Sequence, residues 1–365
     1  MEIVALPGES VRGDGGSACR AEAAELGESA PLPGTVRPTG PMNWQQELRL
    51  AVRDVAQLIA ATELPAGFAD RARKAAQSFP FFAPWPYIGR MVKGDPADPL
   101  LRQVLPLVEE LDEKRGFTDD PVGDSAARLN AGLLQKYHGR ALLITTGVCA
   151  VHCRYCFRRH YPYSEAPKSA DDWQPAVDRI AADPAIDEVI LSGGDPLTLV
   201  DRQLAELTQR IAALSHVRRL RIHTRLPIVI PQRVTTDLLD WLCGTRLTPI
   251  MVVHANHPQE IDDSTAAALS RLIDAGIPVM NQSVLLRGVN DSAQALIGLS
   301  RRLVDLRVMP YYVHQLDHVA GAAHFEVPAE TGRQIIDELR AHLPGYGVPR
   351  YVQEIVGANS KVELI

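Results

Sequence analysis

The chain has no apolar run approaching the ~18 residues needed to cross a bilayer as a helix, so no membrane partner is expected. Its amino terminus lacks a basic segment leading into an apolar one, and Glu2, Glu9, Glu22, Glu25 and Glu28 disfavour a mitochondrial transit sequence. Basic residues are in deficit: 38 Lys and Arg stand against 44 Asp and Glu, for a net charge of −6. With no basic run, that balance disfavours nucleic acid as a partner and stays compatible with a small cationic substrate. Cysteine is scarce too. Three of the five fall close together as Cys149, Cys153 and Cys156, while Cys19 and Cys243 stand alone. That distribution reads as a ligand cluster, not a disulfide framework, and fits a reducing, cytoplasmic location.

What the sequence does have is apolar material for a sizeable core. Of its 365 residues 46% are hydrophobic and 22% charged, the balance of a globular enzyme with one catalytic domain and appendages. Residues 1–41 are rich in Gly, Pro, Ala and Glu, end in PLPGTVRPTGP and show no steady periodicity, so a disordered or loosely attached tail is expected. From Trp44 onward Leu48, Val52, Val55, Leu58 and Ile59 recur at helical spacing, and residues 42–138 read as a helical, proline-punctuated N-terminal region. Residues 139–326 then alternate short apolar runs with amphipathic stretches. The runs are ALLITT at 141–146, EVILSG at 188–193, RLRIHT at 219–224, PIMVVHA at 249–255 and PVMNQSVLL at 278–286; 201–214 and 263–275 are examples of the stretches between. The expected fold class is α/β, a partial or full parallel (β/α) barrel, with residues 327–365 as a C-terminal closing segment. In such a barrel the chemistry belongs at the C-terminal ends of the strands.

The segment TTGVCAVHCRYCFRRHYPY sets Cys149, Cys153 and Cys156 at C-x3-C-x2-C immediately after a predicted strand. Three thiolates can hold three irons of a 4Fe-4S cluster and leave the fourth open to a chelating ligand. His160 extends the pattern to C-x3-C-x2-C-x3-H, which also supplies the ligands of a structural zinc site, although such knuckles usually occupy small modules. Ser192-Gly193-Gly194-Asp195-Pro196 follows another predicted strand, either as a plain tight turn or as a loop whose glycines let backbone approach a ligand. His254 and Gln282 end further strands, as cofactor contacts or as satisfied core polar groups.

Taken in order, KYHGRALL, CRYCFRRH, LSGGDPL, HTRLPIVIPQR, NHPQE, NQSVLLRGVND and AHFEVP resemble the radical S-adenosylmethionine superfamily and, within it, the lysine 2,3-aminomutase family, over residues 87–361. Within that family the chain is similar to the bacterial form that makes (R)-β-lysine for modification of translation elongation factor P. The resemblance implies an isomerase with three cofactors: a 4Fe-4S cluster on Cys149, Cys153 and Cys156, S-adenosylmethionine, and pyridoxal 5′-phosphate. An external electron donor is implied with them. It implies that Ser192, Gly193, Gly194 and Asp195 contact the amino end of S-adenosylmethionine, with His254 and Gln282 beside it. It further implies that Lys361, in GANSK, forms the Schiff base with pyridoxal phosphate, whose phosphate Lys136 and Arg140 receive.

The same resemblance gives Arg158 the substrate carboxylate, for which a guanidinium fork is suited, and leaves Arg159 structural. Asp317 and Glu354 match acidic positions that bind the terminal ammonium of L-lysine; a glutamate-specific enzyme would need a neutral or cationic replacement there. Hydrogen removal from C3 and migration of nitrogen from C2 to C3 would then give β-lysine. The resemblance favours free lysine as substrate, joined afterwards to the elongation factor by a separate ligase, and the absence of a longer C-terminal region favours the same form. The competing readings are an arginine or glutamate aminomutase and a non-catalytic, zinc-stabilised binding protein.

Overall fold

In the computed structural model ten strands form one sheet whose spatial order follows the chain. They are β1 (Arg128–Asn130), β2 (Leu133–Leu134), β3 (Arg140–Thr146), β4 (Glu188–Gly193), β5 (Arg219–Thr224), β6 (Thr248–His254), β7 (Val279–Val284), β8 (Met309–His314), β9 (Arg350–Gln353) and β10 (Val362–Glu363). The structure describes residues 40–364 except 131, 166, 168 and 170. Pairing is parallel at every step from β3 to β9. β1 and β2 add an antiparallel hairpin to the β3 edge, and β10 folds back antiparallel on β9. Among the described residues β1 and β10 do not pair, so the sheet is an open arc, the partial form of the expected barrel.

Each parallel step needs a crossover, and each crossover carries a helix: Gln174–Ala181, Asp201–Ala212, Thr236–Cys243, Asp263–Asp274, Ala293–Asp305 and Ala329–His342. Three of these start on side-chain caps, where Thr235, Asp262 and Ser292 accept from the amides of Leu238, Thr265 and Ala295. Strand alternation divides the sheet. Ala141 and Leu143, Val189 and Leu191, Leu220 and Ile222, and Met251 and Val253 are buried in the core under the helices, which leaves their period-2 neighbours to face the inside of the arc.

Two expectations change. The region 42–138 is helical only in part. Its periodic run breaks into Trp44–Arg49 and Val55–Ala61, because Asp54 caps the second helix and Val52 bridges to Ala83, and its end supplies β1 and β2. The parallel sheet does not stop at residue 326, since β9 in the closing segment adds another parallel strand. The tail expected for 1–41 lies outside the described residues apart from Gly40 and Pro41. No helix among the described residues is long and apolar enough to cross a membrane.

Candidate active site

The inner face of the arc borders a cavity of about 610 Å³ whose lining includes the C-terminal residues of β4 to β8. Every site residue nominated from the sequence lines it: Lys136, Arg140, Cys149, Cys153, Cys156, Arg158, Ser192, Gly193, Gly194, Asp195, His254, Gln282, Asp317, Glu354 and Lys361. His223 and His314, on β5 and β8, line it too.

The cysteine loop is clamped from behind. Glu110 of the N-terminal region accepts from Arg154 Nε at 2.8 Å and Arg159 Nη2 at 2.8 Å, and all three side chains are buried. Arg159 also donates to the Arg154 and Gly321 carbonyls at 3.1 Å. The glycines of SGGD line the cavity and are also required by the backbone packed against them. A Cβ at Gly193 would lie 2.5 Å from the Thr146 carbonyl and one at Gly194 2.3 Å from the Val148 carbonyl, so they admit the backbone that leads into Cys149. The Gly194 and Asp195 amides donate to those two carbonyls at 2.8 Å. The Asp195 carboxylate is engaged by the Leu197 amide, the Thr224 hydroxyl and the Arg225 amide, which ties the β4 loop to the end of β5. His160 Nε2 bonds the Ala320 carbonyl at 3.1 Å.

At the other end the charges hold one another. Asp124, on a loop whose Asp124 and Ser125 amides are gathered by Asp120, takes Arg158 Nε at 2.7 Å and Lys136 Nζ at 2.8 Å. Arg158 also donates to the Ser192 hydroxyl at 3.2 Å. Glu354 pairs with Lys361 and accepts the Tyr137 hydroxyl at 2.7 Å, with Lys136 at 3.6 Å. Lys361 reaches it because β9, the turn through Gly357 (φ +83°) and β10 make a hairpin, with Val362 opposite Gln353. Burial works to raise the Glu354 carboxyl, but the Lys361 charge and the hydrogen bonds outweigh it and hold the group below the usual carboxylate range. Asp317 behaves oppositely. Among the described residues its carboxyl makes no side-chain hydrogen bond or close ion pair, and burial pushes it up to about 7. The Glu354 charge adds to that rise, and the Lys361 charge opposes it.

The cavity lining also includes a neutral polar group. The Gln282 amide pairs with His254 and lies 3.4 Å from His223 Nδ1. Burial lowers His254 to about 3 and holds His223 and His314 well below the ordinary imidazole value, so all three rings are uncharged at neutral pH.

The donor sets fit the groups they are nominated for. One loop offers three thiols with a guanidinium, Arg225, already donating to one of them, and the same cavity is lined by an amine at Lys361 and by the cations Lys136 and Arg140. Sequence reading missed Asp124, Tyr137, His223, Arg225 and His314. Tyr137, His223 and Arg225 sit inside KYHGR and HTRLP and were readable from those strings, whereas nothing marked Asp124 in its loop.

The radical SAM superfamily pattern matches residues 143–240. The chain is 46% identical over 328 residues to the L-lysine 2,3-aminomutase of Escherichia coli K12, across 88% of this chain and 94% of that one. For the enzyme of the same name from Haemophilus influenzae the identity is 44% over 319 residues, with 87% and 94% covered. For that of Clostridium subterminale it is 36% over 281 residues, with 76% and 67% covered. The chain therefore belongs to the lysine 2,3-aminomutase family of the radical S-adenosylmethionine superfamily, isomerases that work with a 4Fe-4S cluster, S-adenosylmethionine and pyridoxal phosphate.

Proposed function

We propose that this protein converts L-lysine to (R)-β-lysine, with pyridoxal phosphate held on Lys361, and that the product serves the modification of elongation factor P. The observation that carries the reading is one cavity lined by the three cysteines together with Lys361, Glu354 and Asp317. When bound, the reduced cluster and S-adenosylmethionine supply the radical that takes hydrogen from the substrate, and pyridoxal phosphate supplies the ring that spreads the unpaired electron while nitrogen moves.

The chain's own residues bind, orient and exclude water. Arg158 takes the substrate carboxylate with guanidinium N–H groups beyond those used by Asp124 and Ser192. Asp317 and Glu354 receive the terminal ammonium, Asp317 ionising as the cation arrives. Lys136 and Arg140 hold the phosphate, and the Arg140 guanidinium lies 5.1 Å from the centroid of the Tyr137 ring. The acidic tail pocket is what argues against glutamate as substrate. The link to elongation factor P rests on the motif resemblance, with free lysine as substrate and a separate ligase downstream.

The test is anaerobic reconstitution with iron, sulfide and pyridoxal phosphate, then addition of S-adenosylmethionine, a strong one-electron donor and equal doses of lysine, arginine and glutamate, with chiral chromatography and mass detection. (R)-β-Lysine from lysine alone is expected. Rearranged arginine or glutamate would overturn the substrate reading, and colourless, zinc-loaded protein would overturn the catalytic one. Coexpression with elongation factor P and its ligase should give a factor whose added lysine mass depends on this chain.

A further inference from the structure

We propose that Arg225 sets the reduction potential of the cluster through a hydrogen bond to the Cys153 sulfur, with Glu260 as its buried counter-charge. The inference rests on the reading of the three cysteines as cluster ligands. Arg225 follows β5, and its guanidinium lies behind the cysteine loop. Nη1 donates to Cys153 Sγ at 2.8 Å and to the Tyr155 hydroxyl at 2.9 Å. Nη2 reaches Gln103 Oε1 at 2.6 Å, Glu260 Oε2 at 2.8 Å and the Tyr87 hydroxyl at 3.2 Å. The backbone is held as firmly, since the Arg225 amide donates to Asp195 at 2.7 Å.

Glu260 is fully buried, and its other oxygen accepts the Asn256 amide at 2.8 Å and Gln103 Nε2 at 3.0 Å. Neither member of the pair has room to turn away. A buried ion pair is a poor route to stability, because desolvating two charges offsets most of their attraction. This one stands against a sulfur nominated as a cluster ligand. Hydrogen bonds and local charge at coordinating sulfur are among the means by which a protein tunes a cluster. A donor and a positive charge at Cys153 favour the reduced cluster, which holds one more electron, and the Glu260 carboxylate opposes them. Arg225 and Glu260 therefore act as positioning residues with opposite signs. The electron itself comes from the external one-electron donor.

That difference in sign separates tuning from simple support of the loop. Wild type, Glu260→Gln and the double variant Arg225→Gln/Glu260→Gln would be reconstituted anaerobically, assayed for iron, and titrated with the reduced-cluster electron paramagnetic resonance signal as readout. Glu260→Gln keeps the side-chain shape and the Arg225 contact, so the potential should rise by about a tenfold change in the one-electron equilibrium, ~59 mV. The double variant removes the donor without stranding a buried carboxylate, and its potential should fall below wild type by a similar factor. Normal iron with both potentials unmoved, or moved in the same direction, overturns the inference and leaves the cluster reading intact. If the double variant fails to fold, Glu260→Gln decides alone: an unchanged or lowered potential overturns the proposal. A wild-type protein that takes up no iron would overturn the cluster reading and this inference with it.

Discussion

The two ends of the cavity are built on different principles. At the cysteine end the polar groups are fixed by partners from distant parts of the chain, as when Glu110 grips Arg154 and Arg159 or when Gln103, Glu260 and Tyr155 surround Arg225. At the amine end the charges are partnered mainly by each other. Asp124 lies between Arg158 and Lys136, Glu354 lies between Lys361 and Tyr137, and Asp317 has no close partner among the described residues. Lys361 and Lys136 keep side-chain exposures of 26% and 21%, whereas Glu110 and Glu260 have none. A cluster that stays in place calls for the first design. A zwitterionic substrate that arrives and leaves calls for the second, because its carboxylate and ammonium can replace ionic partners already in the site instead of stripping charges from water.

The sharpest way to break this comparison is to remove one end and look for damage at the other. Alanine at Cys149, Cys153 or Cys156 should lower bound iron to background and abolish turnover, with pyridoxal phosphate uptake and the circular dichroism spectrum unchanged. Loss of both cofactors together would show the ends to be one unit. Lys361→Ala should do the reverse. Iron stays at the wild-type level, pyridoxal phosphate washes out on gel filtration, and turnover falls by about 10²-fold or more through lost positioning. Borohydride trapping followed by peptide mass spectrometry locates the modified lysine, and a pyridoxyl adduct on another residue would refute the assignment.

Asp317 tests the amine end by charge. Asp317→Asn should cost about 2–5 kcal/mol in lysine recognition, roughly thirtyfold or more in kcat/KM, because the ammonium then meets a buried dipole where a carboxylate stood. The pH dependence has a definite sign. Burial raises this carboxyl to about 7, so the empty site carries it protonated in mild acid, and lysine affinity should rise as pH climbs through about 7. The stability term runs the opposite way. A folded-state value above the unfolded one means the group contributes most at low pH, and that contribution is lost as pH rises from the unfolded carboxyl value through about 7. Lysine KM across pH 6–8 for wild type and Asp317→Asn checks the first part: the variant should be flat where the wild type slopes.

Much of this site was legible because its residues fall where a strand ends. His254 is the last residue of β6, Ser192 the last but one of β4 and Gln282 the fourth of six in β7, while Cys149 comes three residues after β3. The elements that escaped are short or poorly patterned. β1 and β2 have three and two residues, β9 has four, and β8 carries Pro310 inside it. The close backbone neighbours of Gly193 and Gly194 were hidden for a related reason. A sequence shows that a side chain is missing but not what fills the space, and here it is the backbone of the next loop. Asp124 was invisible altogether, since its importance comes from a fold that sets it between Arg158 and Lys136 from a loop with no periodic signal.

Tyr137 offers the finest test, because it divides the amine end into a phosphate side and a tail side. Its hydroxyl donates to Glu354 Oε1 at 2.7 Å, and its ring lies 5.1 Å from the Arg140 guanidinium carbon. Burial raises the phenol well above its ordinary value, and the bond to Glu354 raises it further, so the group remains a donor at any working pH. Tyr137→Phe removes the bond to the carboxylate and keeps the aromatic face for Arg140. A hydrogen bond to a charged group contributes about 1.5–3 kcal/mol, but Lys361 still pairs with Glu354, so the lower figure applies and lysine kcat/KM should fall by about tenfold. Pyridoxal phosphate affinity should not change in Tyr137→Phe and should weaken in Tyr137→Leu, which loses the ring as well. Spectrophotometric titration of the cofactor beside lysine kinetics separates the two sides. If Tyr137→Phe weakens the cofactor and spares lysine, then Glu354 serves the lysine–cofactor linkage and not the substrate tail.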